Sequence, residues 1–258
     1  MVNRNGINVL VTRPAHQAEQ ICQLIQQAGD TALLFPVLEI QETARPETLN
    51  AILARLAEFD IAIFISANAV DYGLNAARAG AGFPTSLKVA AVGLATAKRL
   101  AEQQHPADIF PNQNFNSEAL LELTPLREVH GKRIVIFRGE GGRELLASEL
   151  QARGAHVEYA ECYRRARPAI SSDLIDKVWA SGSVDIILVT SNEGLQNLFD
   201  IVTEQYRTRL LGTPLIVVSE RAVSLARQLG FTSQIIVAAT ASDQAMMDAL
   251  QAWKSASD

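Results

Sequence analysis

Small and polar residues gather where β-rich runs give way to helical ones. They form Thr12-Arg13-Pro14, Ser66-Ala67-Asn68, Gly93-Leu94-Ala95-Thr96, Arg138-Gly139-Glu140-Gly141-Gly142, Thr190-Ser191-Asn192 and Ser219-Glu220-Arg221. Each such turn opens a helix whose first backbone N–H groups lack an intrahelical acceptor and whose dipole turns its positive end outward. Carboxylates fit there. Ser, Thr and Asn are also ordinary N-caps, so each turn taken singly has a purely structural reading. As a set they point to anion binding, with Thr12, Arg13, Ser66, Asn68, Arg138, Gly139, Ser191, Asn192 and Ser219 as candidate contacts.

Arginine strengthens the case. Arg13 and Arg138 stand at equivalent places, each at the end of a β-rich run, and guanidinium forks suit carboxylates. Arg164, Arg165 and Arg167 cluster further on, although an arginine run is also the usual composition of a solvated face. Tyr163 adjoins that cluster. Its phenol could donate a hydrogen bond to a departing oxygen at neutral pH, which makes it the candidate catalytic residue; a buried structural tyrosine is the competing reading. The histidines His16, His105, His130 and His156 are scattered, lie beside no carboxylate or cysteine at ligand spacing, and are expected at the surface. Neither a GxxxxGK[ST] nor a GxGxxG loop occurs, nor a GxSxG elbow. Cys22 and Cys162 have no CxxC spacing. No metal or cofactor is therefore expected, and an enzyme built this way would act by shaping and positioning its substrate.

The elements that carry these turns alternate. Strands are expected over 7–12, 31–35, 61–65, 88–92, 133–137, 155–160, 184–190, 215–219 and 234–238, as continuous apolar runs. Helices lie between them, such as 15–28 with Ala18, Ile21, Cys22 and Ile25 on one face, and 142–153 with Leu145, Leu146 and Leu150. Gly29 and Gly154 suit their ends. This alternation means parallel sheets covered on both faces and joined by right-handed crossovers, the α/β class. The chain also contains itself twice. Asn8–Arg13 is echoed by Arg133–Arg138, Asp60–Ser66 by Asp185–Ser191, and Val89–Gly93 by Leu215–Ser219, at a spacing of about 125 residues, which fits a duplicated domain. Periodicity alone divides such a chain into tandem halves near His130. Two similar lobes imply a cleft, where small ligands usually bind. Two segments break the rhythm at equivalent places, Phe35–Ile40 and Ala160–Arg165. Each extends a strand and then enters a Pro-marked loop, so each is a linker candidate, or else a long edge strand.

Composition bounds the function. The 258 residues are 48% hydrophobic and 20% charged, enough for two cores. Apolar runs stop well short of the roughly 18 residues of a membrane span. The start (Asn3, Arg4, Asn5) is polar, so no signal peptide is expected and the cytoplasm is the expected compartment. A net charge of −5 argues against a nucleic-acid partner held by phosphate neutralisation. An anionic small molecule remains compatible with it, because local dipoles and arginines can outweigh a mildly negative whole.

Taken in order, Val9–Pro14, Phe64–Val70, Ala91–Ala97, Arg138–Arg143, Tyr163–Arg165 and Thr190-Ser191 give the chain a resemblance to the uroporphyrinogen-III synthase family over nearly its whole length. The resemblance implies two flavodoxin-like lobes with parallel sheets, joined by a two-stranded antiparallel linker. The opening β-α-β of each copy would join the remainder of the other. One lobe would be 1–36 plus 169–258 and the other 41–163, with crossings near 36–40 and 163–168. It further implies a cofactor-independent lyase, expected to be a monomer. Such an enzyme closes the linear tetrapyrrole polycarboxylate hydroxymethylbilane, with loss of water and inversion of ring D, to uroporphyrinogen III. Tyr163 would be the acid for hydroxyl loss, and Ser191 and Ser66 would answer the family's turn serines. Asn192, Glu193 and Ala67 depart from the commoner residues at those turns, which makes backbone N–H groups safer contacts than side chains. Two other classes fit the same lobes. A non-catalytic anion or tetrapyrrole binding protein would leave only the spontaneous symmetric product. A nucleotide-sugar transferase would need more phosphate-loop glycines than Gly139, Gly141 and Gly142.

Overall fold

A computed structural model of the chain describes residues 6–80, 82–142, 144–180 and 182–257. Arg143 and the polar start Asn3–Asn5 lie outside the described residues. The strands are β1 (Asn8–Val11), β2 (Thr31–Leu34), β3 (Glu39–Glu42), β4 (Ile61–Phe64), β5 (Lys88–Ala91), β6 (Arg133–Gly139), β7 (His156–Ala166), β8 (Ile186–Leu188), β9 (Leu215–Val217) and β10 (Ile235–Val237). They form two five-stranded sheets, in the orders β10-β9-β8-β1-β2 and β3-β7-β6-β4-β5. The paired strands run parallel from β10 to β2 in the first sheet and from β7 to β5 in the second. The chain is thus a mixed α/β protein with parallel sheets.

It divides into two compact units, Met1–Glu39 with Ala166–Asp258, and Ile40–Arg165. Neither is one of the tandem halves that periodicity alone suggests. Strand pairing shows why: β1, from the first copy, lies beside β8 from the second, in register Val9↔Ile186. β6, from the second copy, lies beside β4 from the first, in register Ile61↔Ile134. The duplicated aspartates serve these joints alike. Asp185 accepts from the Asn8 amide at 2.8 Å, and Asp60 accepts from the Arg133 amide at 2.8 Å.

Within each unit the apolar runs supply both faces of a sheet. In the first, Val9, Val11, Ile186, Leu188 and Ile216 pack with Ala18, Ile21 and Ile25 of the helix Ala15–Gln27 and with Met246, Met247 and Leu250 near the C-terminus. Leu10, Ile187, Leu215 and Val217 point the other way, against Phe35, Val37, Trp179, Leu195 and Leu198. In the second unit, Ala62, Phe64, Val89, Val135 and Phe137 face one side while Ile61, Ile63, Ala90, Ile134 and Ile136 face the other. Fully burying one such Leu, Ile or Phe contributes about 1.5–3 kcal/mol, which holds the strands in a register that their hydrogen bonds alone would not fix.

Three elements differ from the sequence expectation. Glu39–Glu42 is a strand in its own right, at the edge of its sheet beside β7. β7 runs eleven residues, to Ala166, past the strand expected at 155–160 and through Ala160–Arg165, the segment read as extending it. The helix expected over 142–153 begins at Leu145, because the glycines before it adopt φ of +71° and +108°.

Candidate active site

The carboxyl ends of β4, β5, β6 and β7 meet at a cavity of about 360 Å³ in the unit Ile40–Arg165. Ile65 and Val92 follow β4 and β5, Arg138 and Gly139 end β6, and Tyr159, Tyr163 and Arg165 come from β7. Open parallel sheets bind ligands at this end, and favour the point where strand order reverses. Here that point is β6 beside β4, where Arg138–Gly142 faces the turn opened by Ser66.

Tyr163 is buried, only 2% exposed, and its hydroxyl lies 3.1 Å from Ser66 Oγ. Ser66 caps the helix Ala67–Ala79, accepting from the Ala69 amide at 3.1 Å. Either hydroxyl can donate across this contact; in one of the two arrangements Ser66 donates to the phenol oxygen. That arrangement leaves the phenol's own proton for a group in the cavity that Tyr163 lines. Gly139 makes the placement possible, since a Cβ there would fall 2.7 Å from the Tyr163 ring. The Tyr72 ring flanks it at 6.0 Å. Cys162, next in sequence, is no nucleophile: burial pushes its thiol up to about 12.

Arg138 is the other buried polar group of the cavity, its side chain 2% exposed. Its Nε donates to Gly139 O at 3.2 Å and its Nη2 to Gly141 O. Gly142, at φ +108°, leaves room for that fork, for a Cβ would meet Nη2 at 2.8 Å. The guanidinium stacks over the Tyr159 ring, 4.5 Å from its centroid, and Nη1 lies 3.5 Å from Glu144 Oε1. The Tyr159 hydroxyl donates to Glu144 Oε2 at 2.7 Å. Burial, followed by that carboxylate partner, pushes the Tyr159 phenol up to about 12, so it stays a donor. Tyr159 and Glu144 are functional candidates that sequence reasoning missed. One sits inside a strand and the other just before a helix, fifteen residues apart, with no motif to join them. Glu140 anchors the loop outward, accepting from the Ala44 amide at 2.7 Å and Thr43 Oγ1 at 2.8 Å. Those hydrogen bonds, the amide's first, hold its carboxyl below the usual range. Of the arginine cluster, Arg165 reaches the cavity, Arg164 is exposed, and Arg167 pairs with Asp200.

The other unit reverses strand order at β1 beside β8. Ser191 and Ser219 cap the helices Asn192–Ile201 and Glu220–Gln228, accepting from the Gly194 amide at 3.0 Å and the Ala222 amide at 3.2 Å. Asn192 is the first residue of its helix, as Asn68 lies in the first turn of Ala67–Ala79, and Glu193 is exposed to solvent. Thr12 and Arg13 are structurally committed: Thr12 Oγ1 donates to Leu188 O at 2.7 Å, and Arg13 pairs with Asp243 and Ala241 O. His16, His130 and His156 lie at the surface, whereas His105 packs 5.0 Å from the Phe83 ring. Burial, with Arg78 nearby, lowers the His105 pKa. Among the described residues no group of His, Cys, Asp and Glu is placed to hold a metal, and no helix is long and apolar enough to cross a membrane.

The fold and this site define an α/β protein with parallel sheets and a cavity, walled by a buried arginine, at the carboxyl ends of its strands. The model of the family described as uroporphyrinogen-III synthase HemD matches residues 19–248. The chain is 36% identical to uroporphyrinogen-III synthase of Salmonella typhimurium over 247 residues, covering 95% of this chain and 100% of that protein. It is also 36% identical to the Escherichia coli enzyme of the same name over 249 residues, covering 95% and 100%. Among solved structures, uroporphyrinogen-III synthetase from Helicobacter pylori shares the fold at a TM-score of 0.61 and 14% identity, over 96% of this chain and 99% of that one. A mutant uroporphyrinogen III synthase from Thermus thermophilus gives 0.58 and 19%, over 97% and 100%. The chain belongs to the uroporphyrinogen-III synthase family.

Proposed function

We propose that this protein is a cyclising lyase that closes hydroxymethylbilane, with loss of water and inversion of ring D, to uroporphyrinogen III. The observation that carries the reading from the site is the Tyr163–Ser66 pair at the carboxyl-end cavity, with the buried guanidinium of Arg138 in its wall. In the reaction, Tyr163 donates its proton to the departing hydroxyl, which leaves as water and yields an electrophilic azafulvenium cation; the proton released when ring closure restores the aromatic pyrrole returns to the phenolate. Ser66 donates in turn to the phenol oxygen and steadies the charge that develops there. Ring D attacks through its substituted carbon, and the spiro intermediate fragments and recloses with the ring inverted. The uncatalysed chain closes directly to the symmetric isomer. The protein therefore has to hold one folded conformer of the substrate, and positioning outweighs acid catalysis.

Arg138, the loop opened by Gly139 and the helix-opening amides beside Ser66 and Asn68 bind substrate carboxylates in this reading, as do those beside Ser191, Asn192 and Ser219. Thr12 and Arg13 contribute the shape of their turn, since their side chains are engaged elsewhere. The two units are read as flavodoxin-like lobes, 1–36 plus 169–258 and 41–163, joined by a two-stranded antiparallel linker at the crossings 36–40 and 163–168. The strand order of the first sheet supports this. Counted in chain order within its unit it runs 2-1-3-4-5, as in flavodoxin-like sheets. The adjacency of β3 and β7 supports the linker. The deciding experiment is the isomer ratio of product from hydroxymethylbilane with and without the protein. An excess of the inverted isomer is expected; the symmetric isomer alone would reduce the protein to a binding role.

A further inference from the structure

We infer that Glu144 is a displaceable occupant of a carboxylate subsite, and that a ligand carboxylate enters by exchanging with it at Arg138 and Tyr159. The inference rests on the proposed function only for the identity of the substrate; the subsite itself follows from the geometry. A guanidinium cannot shed its charge, and a buried charge requires a partner. Two of the three nitrogens of Arg138 are engaged by neutral carbonyls, those of Gly139 and Gly141. The third, Nη1, faces Glu144 at 3.5 Å, longer than a good charge-assisted hydrogen bond. The pair is lopsided: the arginine side chain is 2% exposed and the glutamate 67%.

Such a carboxylate regains water at little cost when it leaves, whereas the cation has nowhere to go. The Glu144 side chain caps no amide of the helix Leu145–Ala152 that follows it, and only its backbone carbonyl accepts from Ser148. Departure of the carboxylate therefore leaves the helical hydrogen bonds intact. Its other tether is the Tyr159 hydroxyl at 2.7 Å. A ligand carboxylate in the cavity would inherit both donors, Nη1 and the phenol O–H. In the free protein Glu144 acts as an internal competitor.

The test is Glu144→Gln and Glu144→Ala, read by fluorescence titration with uroporphyrin I, a porphyrin with eight carboxylates, and by KM for hydroxymethylbilane. Both variants should bind the porphyrin about two- to five-fold more tightly, as expected for loss of an ion pair with one exposed member. The gain should appear in KM. Glu149→Gln removes one negative charge from the same helix at a position that pairs with Arg153 instead, and should give no such gain. Unchanged or weaker porphyrin binding in the Glu144 variants overturns the inference, as does an equal gain from Glu149→Gln. If wild type yields only the symmetric isomer while the Glu144 variants still bind more tightly, the proposed function falls and the subsite stands. Should wild type make the inverted isomer and the variants gain nothing, the subsite falls alone.

Discussion

Arg13 and Arg138 occupy the same place in the two copies of the sequence repeat, and the fold treats them differently. Arg13 is paired with Asp243, and both side chains are largely shielded, 13% and 15% exposed. It also donates to Ala241 O, so its fork joins the turn after β1 to the segment that opens the last helix, Asp243–Ser257. Arg138 is more deeply buried, yet its only carboxylate partner among the described residues is the well-exposed Glu144. One arginine braces its turn through a shielded partner, and the other is paired with a carboxylate that stands largely in solvent. Duplication thus preserved a residue and a position without preserving a role. The role is decided by whether the partner is buried with the arginine or left in water.

The largest expected effect sharpens the claim that the chemistry sits in the unit holding Arg138. Tyr163→Phe keeps the ring beside Gly139 and removes the hydroxyl beside Ser66. Turnover should fall by up to about 10²-fold, the low end for a general acid, with little change in KM and with the product still inverted. Full turnover in this variant would make Tyr163 structural. Next comes the direct contrast. Arg138→Met should lower kcat/KM by about ten-fold or more through KM, the scale of a charge-assisted hydrogen bond. Arg13→Met should instead show itself in denaturant unfolding, as a loss of about 1–3 kcal/mol, because Asp243 is left largely shielded without its cation. Similar kinetic penalties in both variants would erase the distinction. A smaller effect is expected of Gly142→Ala, which places a methyl against Arg138 Nη2 at a left-handed φ. It should cost about 1 kcal/mol of stability and raise KM, and a variant indistinguishable from wild type would show that the fork can shift freely.

The sequence made much of this arrangement legible, for physical reasons that also mark its limits. Continuous short apolar runs such as Ile61–Phe64 and Ile134–Phe137, alternating with helical segments, read as strands covered on both faces, and they are. Glu39–Glu42 carries three polar residues in four, so nothing in its periodicity separates an edge strand from a loop. Ser66, Ser191 and Ser219 were recognisable as helix caps, and each does accept the expected amide. The commitments of Thr12 and Arg13 were hidden, because Leu188 and Asp243 lie 176 and 230 residues away. Tyr159 and Glu144 were hidden for a related reason: a strand residue and a residue at the start of the preceding helix meet only once the β-α-β unit has closed.

The smallest expected effect concerns how the two turns are pinned. Thr12 ties the first to a buried carbonyl, a neutral bond, whereas Glu140 ties the second to Ala44 and Thr43 through its charge. The carboxyl of Glu140 is held below its unfolded value, chiefly by the Ala44 amide and then by the Thr43 hydroxyl. A depressed carboxyl stabilises the fold above its unfolded pKa, and that contribution is lost as pH falls through the folded pKa. Glu140→Gln keeps the shape and an acceptor oxygen and removes only the charge. Its deficit in unfolding free energy at pH 7 should be below about 1 kcal/mol, in keeping with a group near the surface. The deficit should shrink as pH drops below the usual carboxylate range, because the wild-type group is then neutral as well. Thr12→Val should show a deficit that does not vary over the same range, since no charge is involved at that turn. Urea unfolding of both variants at pH 7 and again near pH 3 separates the two cases. A Glu140→Gln deficit that is constant with pH would mean that shape and not charge pins the Arg138 loop, and the two turns would then be anchored in the same way.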